Sequence, residues 1–211
     1  MNIKQKVRER ATILVVARTL SDVFRPSYYP VMGFAILLMF TYLSQLPWSY
    51  KFSLILLVYL FTVTFPSIGV YLYRFGRKIS VQDLEKRKFR IVPYLLHLIS
   101  YAVLYRSMYT IHAPAFVRAI LVISLLVQAF CIVITLFWNI SMHSAGAGAI
   151  IGALVVYAWI FRFNPVWWLC AAIMVSGLVN SSRMLLRQHT LGQVLGGTAV
   201  GFLCGLAGFF I

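Results

Sequence analysis

Apolar stretches of about 20 residues, the length that crosses a bilayer as a helix, recur along this chain and are separated by short polar or basic islands. They fall near 30–47, 52–74, 91–110, 115–138, 144–161, 165–182 and 192–211. In hydrocarbon, backbone N–H and C=O groups must bond within their own segment, so such stretches become helices. With 62% hydrophobic residues and a mean hydropathy of +0.88, the 211-residue chain is not a soluble domain. The expected fold is all-α: a polytopic membrane helix bundle of about seven transmembrane helices, forming a single domain over 1–211. Residues 1–27 are basic and mixed. Ile13, Leu14, Val15, Val16, Leu20 and Val23 alternate there with Arg10, Arg18 and Asp22. That pattern reads as an N-terminal interfacial helix, or as a plain basic flank to the first span.

Charge narrows the partners. Nineteen Lys and Arg against four acids give a formal net charge of +15. The basic residues punctuate the spans instead of forming one face, which points to anionic lipid headgroups or phosphate and away from nucleic acid. Cys131, Cys170 and Cys204 all fall in apolar stretches and read as small buried side chains, without disulfide or ligand spacing. Gly148/Gly152 and Gly197/Gly201/Gly205 repeat at intervals of four, which lets helix backbones approach closely within a bundle.

Three islands carry chemistry. The first runs from Arg77-Lys78 through Lys86-Arg87-Lys88-Phe89-Arg90 to Pro93, the second is Asn139 to Gly146, and the third is Ser182 to Gln193. Two spans separate each island from the next, so all three return to one membrane face. Arg106, Arg118 and Arg162 belong to the opposite face. On a helix His189 and Gln193, four apart, share a side. His97 lies mid-span and reads as an interhelical hydrogen-bonding residue; His112 reads as a loop residue.

In the third island, Ser182-Arg183, five residues, His189, three residues and Gln193 resemble the last signature of the type 2 phosphatidic acid phosphatase superfamily, Ser-Arg-x5-His-x3-Asp, with Gln193 in place of the Asp. Ser141 and His143 keep part of that family's Pro-Ser-Gly-His. Lys78, Arg87, Arg90 and Pro93 stand in for its Lys-x6-Arg-Pro. The resemblance covers roughly 75–205. Bacterial relatives with Gln in the last motif are also similar.

The resemblance implies a phosphatase. His189 would attack phosphorus and form a phosphohistidine, and His143 would protonate the leaving group. Arg183, with Arg87, Arg90 and Lys78, would hold the phosphate oxygens, braced by Ser182 and Ser141. Gln193 would orient His189. Neither metal nor cofactor is implied. The substrate would be an anionic lipid phosphate in a membrane, the bacterial inner membrane by the same resemblance. Counting positive residues places the islands on its cytoplasmic face. A non-catalytic lipid-phosphate binder or transporter with a degenerate site remains the alternative.

Overall fold

The computed structural model describes residues 3–78 and 87–210, which form helices joined by short turns, with no strand among them. In chain order these are α1 (Ile3–Val23), α2 (Tyr29–Phe40), α3 (Trp48–Tyr59), α4 (Phe65–Arg77), α5 (Arg87–Thr110), α6 (Ala115–Phe137), α7 (Met142–Phe161), α8 (Val166–Leu185) and α9 (Leu191–Ala207). A π-helical stretch, Leu60–Thr64, joins α3 to α4 without a break in the helical path.

Among the described residues four helices are long and apolar enough to cross a membrane: Trp48–Arg77, Ala115–Phe137, Met142–Phe161 and Val166–Leu185. A fifth span results if α1 and α2 are taken as one helix bent by 40°. The chain is therefore an integral membrane helix bundle, with four or five such spans where the sequence suggested seven. The differences have local causes. α2 stops at Phe40 because Thr41 turns to extended backbone, where its Oγ1 accepts the Leu43 N–H at 3.2 Å. α5 mixes Arg106 and His97 into its apolar run and does not qualify. α9, apolar over its 17 residues, is shorter than the other spans.

α1 packs along α8, with Ala17 only 2% exposed. Its Ile13, Leu14, Val15 and Val16 stay exposed. Large apolar side chains face outward over much of the bundle, and Trp48 and Trp167 stand exposed at helix starts, where amphipathic rings meet a membrane interface. Cys131 and Cys204 are buried as expected, whereas Cys170 faces outward.

One apolar cluster joins α2, α3, α5 and α6 around Phe34, Val58, Leu104 and Leu121. A second joins α6, α7 and α9 around Ile123, Cys131, Ala145 and Cys204. His97 links helices as expected: its Nε2 lies 3.0 Å from Ser27 Oγ, while Nδ1 lies 2.9 Å from the Pro93 carbonyl oxygen.

The closest contact in the bundle is α7 against α9. A Cβ added at Gly148 would strike the Thr198 carbonyl, and one at Gly201 would strike the Ala145 carbonyl. The glycine spacing therefore serves packing within the chain. We expect Gly201→Ala to lower the unfolding midpoint in detergent micelles, by about 1–3 kcal/mol of overpacking. Gly177→Ala, where a Cβ meets open space, should leave it unchanged or raise it.

Candidate active site

The third island is a helix end, a turn and a helix start, and this explains its spacing. α8 ends at Leu185, with Leu186 as its cap. Arg187 then takes a left-handed conformation, φ 53°. Its N–H bonds the Met184 carbonyl at 2.9 Å, and the Gln188 N–H bonds the Arg183 carbonyl at 3.1 Å. These two bonds make a Schellman closure, with Arg187 where glycine is usual. The chain reverses within the five residues that separate Arg183 from His189. Thr190 then caps α9 in a capping box with Gln193.

Gln193 serves two neighbours. Its Oε1 accepts the Thr190 N–H at 3.1 Å and lies 3.2 Å from His189 Nδ1. Because a backbone N–H can only donate, the amide oxygen must face Thr190. The same oxygen then requires a proton on His189 Nδ1, and in the neutral ring Nε2 carries the lone pair. Gln193 thus lies within the hydrogen-bonding reach of His189 that their spacing suggested. His189 is 8% exposed and Ser182, whose Oγ donates to the Leu178 carbonyl at 2.8 Å, is 2% exposed.

The second island meets the third directly. Ser141 is fully buried and caps α7, its Oγ accepting the Ser144 N–H at 3.4 Å and the Ser144 hydroxyl at 2.9 Å. The Ser141 N–H in turn donates to the Gln193 carbonyl at 3.4 Å. The first turns of α7 and α9 therefore lie side by side, each with a helix N-terminus whose dipole favours an anion. His143 stands one residue into α7, close enough to feel the charges of Arg183, His189 and Arg25. Two of the expected islands, with Arg183, His143 and His189, thus come together at one end of the bundle.

α1 enters the same site, which sequence reasoning did not foresee. The His143 ring lies beside the backbone of Ser21, in the last turn of α1. The Ser21 side chain is 5% exposed. Arg25 follows, paired with Asp22 at 2.7 Å. The Tyr29 hydroxyl donates to the His143 carbonyl at 3.2 Å.

Of the first island, Lys78 is exposed at the end of α4 with φ 52°. Arg87 and Arg90 open α5, and their side chains lie outside the described residues.

Residues 135–210 match the family model described as the PAP2 superfamily. No curated protein and no solved structure matches the chain. The matched segment contains α7, α8 and α9, and with them His143, Arg183, His189 and Gln193.

The turn itself is testable. Arg187→Gly should stabilise the fold by about 1 kcal/mol, because a side chain in the left-handed region carries a penalty of that order, and chemical denaturation in micelles would measure the change.

Proposed function

From the match of residues 135–210 to the family model of the PAP2 superfamily, whose members are generally phosphatases acting on phosphate esters, we propose that this chain is a membrane lipid-phosphate phosphatase working through a phosphohistidine. The observation that carries the reading is the shared oxygen of Gln193. It keeps the proton on His189 Nδ1 and so presents Nε2 as the nucleophile.

In the first step Nε2 attacks phosphorus, and a P–N bond forms as the P–O bond to the lipid breaks. The departing oxygen takes a proton from His143. In the second step water attacks the phosphohistidine, His143 receives its proton, and phosphate leaves with His189 restored. Arg183 holds the non-bridging oxygens while charge shifts among them, with Arg87, Arg90 and Lys78 as further candidates. Arg25 adds positive charge from α1. Ser141 braces the start of α7, which carries His143, and Ser182 stands beside Arg183 in the last turns of α8. A neutral Gln accepts the imidazole N–H without supplying a compensating charge, so phosphate itself offsets the imidazolium as it forms.

The site lies at a bundle end, which favours a substrate whose tail is in the membrane and whose phosphate is at headgroup level. The inner bacterial membrane is the compartment we assign, with the site on the cytoplasmic face by its excess of positive residues.

Phosphate release from a panel of lipid phosphates, with purified protein, tests the reading. His189→Ala should abolish release without loss of fold. Equal release by variant and parent would remove His189 as nucleophile. Gln193→Leu, which loses the acceptor for Nδ1–H, should lower kcat by about 10²–10⁴, taking as its upper bound the serine-protease carboxylate whose loss leaves the wrong tautomer. Arg183→Ala should raise KM and lower kcat together.

A further inference from the structure

A cavity of about 560 Å³ lies between α2, α6 and α7. One end is lined by Tyr29, Met142 and Gly146, and the Tyr29 hydroxyl bonds the His143 carbonyl there. The other end is lined by Phe40, Phe161 and Trp168. The cavity therefore follows the whole of α7, from Met142 to Phe161, about 28 Å of helix rise. That is close to the roughly 30 Å of a hydrocarbon core.

A passage of that length with an apolar lining suits an extended hydrocarbon chain.

Its walls are mostly apolar, and two of its polar groups are already satisfied. Ser124 Oγ donates to the Ile120 carbonyl at 2.8 Å, and Thr41 Oγ1 donates to the Leu37 carbonyl at 2.6 Å. Gln128 is different. It lines the cavity, is 5% exposed, and its Oε1 has no hydrogen-bond partner among the described residues. It stands nine residues before the end of α6 at Phe137, about 13 Å of helix rise from the bundle end that holds the histidines. A buried acceptor left without a donor is costly, and an occupant carrying a donor at that depth would relieve it.

We propose that this cavity binds one hydrocarbon chain of the lipid phosphate, with the headgroup at the His143 end, and that Gln128 Oε1 accepts a hydrogen bond from a hydroxyl on that chain. The proposal rests on the phosphatase reading for what stands at the headgroup end. It differs from it in placing the chain inside the bundle, where the protein can select it.

Three probes separate the possibilities: butyl phosphate, hexadecyl phosphate, and a hexadecyl phosphate hydroxylated near its tenth carbon, the depth of Gln128. Phosphate release is measured with the full chain in lipid nanodiscs. Equilibrium binding is measured on the same protein carrying His189→Ala, so that affinity is read without turnover. The parent should bind the hydroxylated chain about fivefold more tightly than the plain one. Gln128→Leu should erase that preference while keeping affinity for hexadecyl phosphate. Ser124→Phe, which places a ring in the cavity, should weaken both long chains at least tenfold and leave release from butyl phosphate unchanged.

Equal binding of long chains by the parent and a folded Ser124→Phe variant would overturn the chain site. A parent blind to the hydroxyl would overturn the role of Gln128 and mean that water meets its Oε1. Long-chain binding that Ser124→Phe blocks, with no phosphate released from any probe, would leave the chain site standing and remove the phosphatase reading.

Discussion

The close approach of α7 to α9 sets the position of everything at the candidate site. In a membrane two apolar helices gain little by leaving lipid for each other, so their association depends on packing. Here the packing is backbone against backbone. Gly148 faces the Thr198 carbonyl, Gly201 faces the Ala145 carbonyl, and Gly205 faces that of Ala149. This register brings the two helix starts level and allows the Ser141 N–H to reach the Gln193 carbonyl. His143 and His189 then stand at one depth, although 46 positions separate them in the chain. Any slip between the helices would shift one histidine relative to the other along the membrane normal.

The site gathers positive charge from separate helices. Arg183 ends α8, Arg25 follows α1, and both act on His143 together with His189. Such a pocket attracts a polyanion, in keeping with phosphate chemistry. Arg25 is held by Asp22 in an exposed pair of small energetic weight, so its guanidinium can exchange partners at low cost. Cap and dipole effects act in the same direction, since α7 and α9 both point their N-terminal ends at the site.

The parts that were legible in sequence follow from local rules. The interval between His189 and Gln193 is one helical turn, and the model of a capped helix gives their contact directly. Counting spans brought the second and third islands to one face. Glycines at intervals of four announced a tight helix pair. What escaped depended on distant contacts or on atypical turn chemistry. Nothing local marks Ser21 as the residue whose backbone meets His143, since the contact depends on α1 lying along α8. Arg187 holds a left-handed turn without glycine, so the usual signal for a helix end was missing. The break at Thr41 depended on a threonine side chain bonding its neighbouring backbone, a choice that apolar periodicity does not reveal.

The Gln193 oxygen gives the site an uncommon kind of coupling. The same acceptor that ends the first turn of α9 at Thr190 also fixes which nitrogen of His189 carries hydrogen. Fraying of that single turn would release both at once. Local opening, the most frequent motion at a helix end, therefore becomes a change of imidazole tautomer. Amide exchange at Thr190 and the protonation pattern of the ring are thus coupled through one oxygen atom.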